Sequence, residues 1–282
     1  MRKSILINIA LAAAITLPLA AQQPPALKLP RVSQHAVLTQ TIGLTDMTIT
    51  YSRPGVKGRK VFGALVPYGK VWRTGANEAT KISFSDDVTI NGKPLPKGTY
   101  SLHTIPGEHE WTIIFNKVAD QWGSFSYKES EDALRVTATP RSESRTEWME
   151  FDVPQLSTDN ATVEIRWDTV AVPFTVGTGT TAKVMADAKK AVAEAKADDE
   201  RTPRMAAQFA LDSGDLADAM TWIDQSVKAK ETANNLYLRA RIEAAKGDKA
   251  AAVRSAEAAL AKVGNNAEFA EEIKGDIASW KK

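Results

Sequence analysis

The chain of 282 residues contains no cysteine. This absence excludes disulfide bonds, thiol catalysis, thiolate metal sites and a lipid anchor on an acylated cysteine. Histidine is also scarce, with three residues in all, and none of them stands in the His-x-His or His-Glu-x-x-His spacing of a dedicated metal site. We therefore predict no metal ion and no cofactor; a site assembled in space from His35, Glu78 and His103 is the open alternative.

Common catalytic motifs are missing as well. The sequence has no Gly-x-Ser-x-Gly elbow for a serine nucleophile, and residues 55–63 lack the Gly-x-x-x-x-Gly-Lys-Ser/Thr order of a phosphate-binding loop. Glycoside hydrolysis needs a pair of carboxylates, and Glu78 with Asp86 or Asp87 has no motif around it. The formal net charge of +2 is too small to indicate nucleic-acid binding or a general affinity for polyanions.

The N-terminus has the order of a secretory signal peptide. Arg2 and Lys3 precede an apolar stretch at 5–19, and small residues follow it. An apolar run of about 15 residues is shorter than the roughly 20 that a membrane-spanning helix needs. We therefore predict a signal peptide at 1–21, cleaved after Ala21, and an exported protein, periplasmic or secreted, with no transmembrane segment after cleavage. An uncleaved anchor is the alternative.

The next part of the chain has the pattern of β structure. Residues 22–34 carry three prolines and are predicted to be a Pro-rich linker. Over 35–176, short runs of alternating apolar and polar residues are separated by Gly or Pro, and the Asn-Gly pair at 91–92 is a strong hairpin signal. This pattern predicts a β domain, an antiparallel sandwich or barrel. The predicted strands are 45–51, 88–92, 99–105, 111–116, 134–139, 148–153 and 161–169.

Beyond a Gly/Thr linker at 177–182, alanine replaces β-branched residues and the apolar spacing becomes helical. The tripeptides at 213–215 and 246–248 both end in Gly-Asp, in which Gly ends one helix and Asp caps the next. We predict that 183–282 is a separate all-α helical-repeat domain of tetratricopeptide-like hairpins, although the full aromatic signature is missing. Generic helical hairpins are the alternative.

A basic loop is the strongest candidate for a ligand site. No acidic residue lies between Asp46 and Glu78, whereas six basic residues do, and glycines and prolines interrupt the segment. Guanidinium groups bind carboxylate or phosphate through paired hydrogen bonds, and glycines let backbone N–H groups approach the same anion. We therefore predict a site for an anionic group. Its candidate ligand-binding residues are Arg53, Lys57, Arg59, Trp72, Arg73, Asn77, Glu78 and His103.

Two long motifs carry a resemblance to a known family. They are RPGVKGRKVFGALVPYGKVWRTGANEAT at 53–80 and LPKGTYSLHTIPGEHEWTIIFNK at 95–117. Together they closely resemble exported bacterial proteins grouped as domain of unknown function 2911, over roughly residues 35 to 175. The resemblance implies a signal peptide and, in some members, a helical repeat tail. It implies no activity, substrate or catalytic residue.

Two classes of function fit these observations. The first is a non-enzymatic envelope module, whose β domain binds an anionic small molecule or a glycan and whose helical tail, 183–282, docks a protein partner. The second is a periplasmic hydrolase or lyase using Arg73, Asn77, Glu78 and His103. We favour the first because the enzyme signatures are missing. A purely structural interpretation also exists, in which Arg73 pairs with Glu78 and Asn77 caps a turn.

The signal-peptide hypothesis predicts that protein purified from the cell envelope begins at or near Gln22. N-terminal sequencing of the envelope and cytoplasmic fractions measures this directly. Cytoplasmic protein that retains Met1 would overturn the assignment of the compartment.

Overall fold

The structure, a computed structural model, describes residues 29–282. The predicted signal peptide, 1–21, and most of the predicted linker, 22–34, lie outside these residues. The described residues form two antiparallel sheets within 34–177, followed by six α-helices within 180–280. This architecture confirms the prediction of a β domain followed by a separate all-α domain. In this described part, none of the helices is both long and apolar enough to cross a membrane.

Ten strands belong to the described residues. In chain order they are β1 (Gln34–Ile42), β2 (Thr45–Arg53), β3 (Thr80–Phe84), β4 (Val88–Ile90), β5 (Lys93–Leu95), β6 (Gly98–Ile105), β7 (Trp111–Asn116), β8 (Asp132–Ala138), β9 (Arg141–Leu156) and β10 (Asn160–Gly177). They pair as a six-stranded sheet in the order β1-β2-β3-β6-β7-β8 and a four-stranded sheet in the order β5-β4-β10-β9. Each predicted strand overlaps one of these ten.

Alternating side chains bring the two sheets face to face. On β10, Val163, Ile165 and Trp167 are buried, as the apolar parity of the strand predicts. They share one core with inward side chains of the six-stranded sheet, such as Ile49 and Ile113. A core shared by two separate sheets makes the β domain a sandwich, one of the two predicted alternatives.

Aromatic packing fixes the path of the basic loop, residues 54–79, between β2 and β3. The ring of Trp72 stacks on Trp167 with 5.7 Å between centroids. The ring of Phe62 meets Trp111 edge to face at 5.0 Å. Burying an aromatic ring of this size contributes roughly 3 kcal/mol. The loop is therefore anchored in the sandwich core, and the polar residues between its anchors have defined positions.

The Asn-Gly hairpin joins β4 to β5. Asn91 has φ 48° and Gly92 has φ 79°, the two consecutive positive values that a type I′ turn requires. The Asn91 Oδ1 atom also accepts the backbone N–H of Thr175 at 2.8 Å. The turn residue thus connects the hairpin to β10 as well as reversing the chain.

Six helices follow in the described residues. They are α1 (Thr180–Glu194), α2 (Arg201–Asp212), α3 (Leu216–Ala229), α4 (Ala233–Ala245), α5 (Lys249–Leu260) and α6 (Ala267–Trp280). The Gly-Asp turns lie where the repeat predicts them. Asp215 accepts the N–H of Asp218 at 3.0 Å to cap α3, and Asp248 accepts the N–H of Ala251 at 2.9 Å to cap α5.

The junction between the two domains is closely bonded. The predicted linker, 177–182, comprises the last residue of β10, two connecting residues and the start of α1. Gly179 precedes α1 and has no side chain to cap it, but the Asp159 Oδ1 atom accepts the N–H of Thr181 at 2.7 Å. Thr178 and Thr180 are buried beside this contact. A carboxylate from the β domain therefore caps the first helix of the other domain.

We expect Asp159→Ala to weaken this junction. Loss of a capping side chain costs about 1 kcal/mol, so proteolytic cleavage between 177 and 182 should become faster. Asp159→Asn is the matched control, because asparagine caps helices as well as aspartate does. Equal cleavage rates for the wild type and Asp159→Ala would contradict the assignment of Asp159 as the cap.

Candidate functional site

The predicted site residues fall into two groups on different sides of the six-stranded sheet. Arg53 shares the parity of Met47, Ile49 and Tyr51 on β2, and these three side chains belong to the inner core. Arg73 follows Trp72 and His103 follows Leu102, and both Trp72 and Leu102 belong to the inner core. Because side chains alternate along an extended chain, Arg73 and His103 point to the outer side of the sheet. The single basic site predicted from the sequence is thus divided into two places.

Arg53 is held by hydrogen bonds to β9. Its Nε–H donates to the Met149 carbonyl oxygen at 2.8 Å, and Nη2 donates to the Glu150 carboxylate at 2.9 Å. This guanidinium therefore has a carboxylate partner and a backbone partner. The arrangement ties the end of β2 to the second sheet.

Lys57 and Arg59 belong to the turn that follows β2. Arg59 donates to the carbonyl oxygens of Gly55 at 2.6 Å and Val56 at 3.1 Å, so its guanidinium closes its own turn. Lys57 has a positive φ of 48°, and its backbone N–H donates to the Glu147 carboxylate at 2.8 Å. These contacts make the first basic group part of the frame of the sandwich.

The second group is placed by a backbone bridge. Trp72 N–H donates to the Thr104 carbonyl at 2.7 Å, and Thr104 N–H donates to the Trp72 carbonyl at 2.8 Å. In this antiparallel bridge the following residue, Arg73, stands opposite His103. Since Trp72 points into the core, its neighbour Arg73 projects from the outer face, as His103 does on β6.

A segment that sequence reasoning missed covers this outer face. We call residues 117–128 the covering loop. Its backbone pairs with the signature stretch, because Ala79 N–H donates to the Gln121 carbonyl at 3.0 Å and Gly123 N–H donates to the Asn77 carbonyl at 3.2 Å. Glu78 stands opposite the loop in the same bridge. Asn77 adopts φ 59°, and its carboxamide donates to the Ser33 carbonyl at 3.1 Å.

Beneath the covering loop lies a chain of polar contacts. The Gln121 carboxamide donates to the Ser101 hydroxyl at 3.2 Å and to the Asn116 side-chain oxygen at 3.1 Å. Asn116 in turn donates to the Asp132 carboxylate at 2.8 Å. Within residues 29–282, the Gln121 Oε1 atom is buried and accepts no hydrogen bond. One acceptor of this network thus has capacity for a further donor.

Asp132 is the charged centre of the neighbouring contacts. It accepts Arg135 Nε–H at 2.6 Å and the Tyr127 hydroxyl at 2.7 Å. Burial, followed by this bond to a carboxylate, raises the pKa of Tyr127 to about 12. Arg135 is therefore neutralised by its own carboxylate, and Tyr127 keeps its proton at neutral pH.

His103 is fully buried on β6. Its Nδ1 atom lies 3.3 Å from the Ser124 hydroxyl of the covering loop, and its Nε2 atom has no hydrogen-bond partner among residues 29–282. Burial lowers the pKa of His103 to about 4, and the Asp132 charge offsets this only in part. The imidazole is therefore neutral at physiological pH.

Arg73 differs from every other arginine of the predicted set. Its Nε atom is buried and has no hydrogen-bond partner in the described part of the chain. Burial is the sole cause that lowers the pKa of its guanidinium, with no carboxylate compensating it. The structural interpretation in which Arg73 pairs with Glu78 stays a prediction. We call Arg73, His103, Gln121 and Ser124 the outer-face site.

The covering loop also carries an exposed tryptophan. The structure buries Trp72, Trp111 and Trp167. Trp122 is instead 60% exposed on the covering loop, close in sequence to Phe125, which is 86% exposed. A run with one glycine, two serines and three aromatic residues at 122–127 is the sequence signal for a functional loop.

The outer-face site offers hydrogen bonds but no metal centre. It presents a guanidinium donor, a neutral imidazole nitrogen and a carboxamide oxygen, all buried. Among the described residues, no cluster of His, Asp and Glu has the composition to hold a metal ion. Such a donor and acceptor set is suited to binding a small polar ligand.

Buried His103 should make the protein sensitive to acid. The unfolded chain takes up a proton near pH 6.5, whereas the folded state takes it up near pH 4, so the free energy of unfolding falls as pH decreases between these values. The full loss is about 3 kcal/mol. Denaturant unfolding of the wild type and His103→Gln at several pH values measures it; parallel stability curves for the two proteins would contradict the assignment.

The β domain matches a known protein family. The family model described as Protein of unknown function (DUF2911) matches residues 33–176, which contain both groups of predicted site residues. The match ends before α1, so the tetratricopeptide likeness of the helices stays a prediction. No curated protein matches the chain. Because the matched segment is just over half of the chain, this protein belongs to the DUF2911 family.

Proposed function

We propose that this protein is an exported, non-enzymatic binding module. Its outer-face site takes a small anionic ligand, and its helical domain, 183–282, docks a protein partner. The observation that carries the proposal is the half-buried guanidinium of Arg73, whose Nε atom is buried without a hydrogen-bond partner in the described residues, beside the buried imidazole of His103. Export rests on the signal-peptide pattern at 1–21.

The energetics of Arg73 favour an anion. A cation removed from water loses hydration, and a missing partner charge leaves that cost uncompensated. Arg53 and Arg135 have carboxylate partners, so their charges are already balanced. A ligand carboxylate or phosphate would form an ion pair with Arg73, as Glu150 does with Arg53.

The charge count favours a monoanion. At neutral pH His103 carries no charge, and Lys81 is paired with Asp120 at 3.0 Å. The outer-face site therefore supplies one positive charge, from Arg73. A hydroxycarboxylate, whose carboxylate accepts from Arg73 and whose hydroxyl donates to Gln121 Oε1, would satisfy both of these unpaired groups.

Movement of the covering loop would admit the ligand. Two backbone hydrogen bonds hold the loop to residues 77–79, and its aromatic side chains Trp122 and Phe125 are exposed. Segments with few buried apolar contacts open at low free-energy cost. The tip of the loop, with Trp122 and Phe125, is therefore suited to open and close over Arg73 and His103, while the side-chain bonds of Gln121 and Tyr127 hold the rest of the loop on the sheet.

Catalysis is less well supported than binding. The His103 and Ser124 pair resembles a base and a hydroxyl nucleophile, at 3.3 Å. However, the Asn77 carboxamide is committed to the Ser33 carbonyl, and burial depresses the basicity of His103. Two of the four residues of the hydrolase alternative are thus poorly suited to it.

The proposed docking role of the helical domain is supported by its arrangement as helical hairpins. Helical hairpins with capped Gly-Asp turns stack into arrays whose surface binds extended partners. Buried Ala219 and Ala252 let the helices of the hairpins approach closely. The charges of 183–282 are balanced, so shape rather than charge would select the partner.

The anion proposal predicts selective stabilisation by ligand. Thermal unfolding of the full mature chain would be followed with acetate, lactate, glucuronate, phosphate and sulfate. A ligand at 100 times its dissociation constant stabilises by about 2.7 kcal/mol. We expect Arg73→Gln to abolish this stabilisation.

Arg59→Gln is the matched control, because it removes the same charge from a guanidinium bonded within its own turn. It should leave ligand stabilisation unchanged. If no anion of the panel stabilises the wild type, or if both variants lose the effect equally, the outer-face site is not an anion site.

A further inference from the structure

A second concave site lies on the other group of predicted residues. It is a depression of about 300 Å³ lined by Gln34, Arg53 and Trp148. Trp148 lies in the middle of β9, and its side chain is 41% exposed. An exposed indole beside a guanidinium and a carboxamide has the composition of a polar ligand site.

Backbone hydrogen bonds fix the walls of this depression. Met149 N–H donates to the Pro54 carbonyl at 3.0 Å, and Val56 N–H donates to the Glu147 carbonyl at 2.8 Å. These bonds hold β9 against the segment that follows β2. Arg53 is positioned by the Met149 carbonyl. The site is therefore preformed, which lowers the entropy cost of binding.

The charges around the depression are balanced. Arg53 pairs with Glu150 at 2.9 Å, and Arg145 pairs with Glu147 at 3.3 Å and with Asp168 at 3.5 Å. With the Lys57 ammonium beside Trp148, the count is three cations and three carboxylates. The contrast with Arg73, which has no carboxylate partner in residues 29–282, is direct. A balanced site has no electrostatic preference for an anion, so it favours a neutral ligand.

Polar groups are nevertheless available at the walls. The bonds of Arg53 to β9 use its Nε and Nη2 atoms, which leaves the Nη1 donors outside them. Gln34 is exposed at the start of β1 and carries both a donor and an acceptor. Lys57 is exposed, with its ammonium 5.8 Å from the Trp148 ring centroid.

We propose that this depression binds a neutral pyranose ring of a glycan. One face of a pyranose is formed by C–H groups and packs on an indole, while its hydroxyls donate to a carboxamide and accept from a guanidinium. A volume of about 300 Å³ lies at the small end of ligand sites, which fits one or two rings. The proposal is independent of the anion site.

Titration calorimetry with maltotriose, cellotriose and the trimer of N-acetylglucosamine tests this on the full mature chain. We expect at least one to bind. Trp148→Ala should weaken that binding at least tenfold, whereas Trp148→Phe, which keeps an aromatic face, should retain most of it. Trp122→Ala is the matched control, because Trp122 is an exposed indole of the covering loop.

The outcomes separate the two sites. Arg73→Gln should leave glycan binding unchanged, since it removes a group on the outer face. Absence of binding by all three oligosaccharides would overturn the proposal. So would equal weakening by Trp148→Ala and Trp122→Ala, or undiminished binding in a folded Trp148→Ala variant.

Discussion

The bridge between Trp72 and Thr104 is the constraint on which the candidate sites depend. Two backbone hydrogen bonds and the burial of the Trp72 ring hold the end of the long loop 54–79 against β6. With Trp72 fixed in the core, Arg73 is forced to the outer side, where hydration is partly lost. Arg73 is thus partly buried because its neighbour Trp72 packs in the core.

The arginines between 53 and 73 have different hydrogen-bond partners, so we infer different roles for them. Arg53 has a carboxylate from β9, Arg59 has carbonyls of its own turn, and Arg73 has neither. The sequence shows six similar cations and no acid between Asp46 and Glu78. The carboxylate partner of Arg53 lies 97 residues away along the chain, and local spacing cannot supply that information.

Local rules predicted the elements well. Alternation located β2, β6, β7 and β10, Asn91-Gly92 predicted the hairpin, and the Gly-Asp turns predicted the caps at Asp215 and Asp248. Tertiary packing decided the rest. The carboxylate that caps α1 comes from Asp159, outside the helix, and the exposure of Trp122 follows from the path of the covering loop. Neither depends on neighbouring residues in sequence.

Unsatisfied polar atoms are concentrated where function is proposed. In the described residues, Arg166 Nε, Trp167 Nε1 and Asp218 Oδ2 also lack a hydrogen bond, but Arg166 and Asp218 are each in an ion pair and the indole of Trp167 is uncharged. Arg73, His103 and Gln121 have buried atoms without such compensation, and all three belong to the outer-face site. A core that anchors Trp72 and its aromatic neighbours offsets this cost. Natural sequences break local rules mainly at functional sites, so the concentration of the cost favours a ligand over a purely structural role.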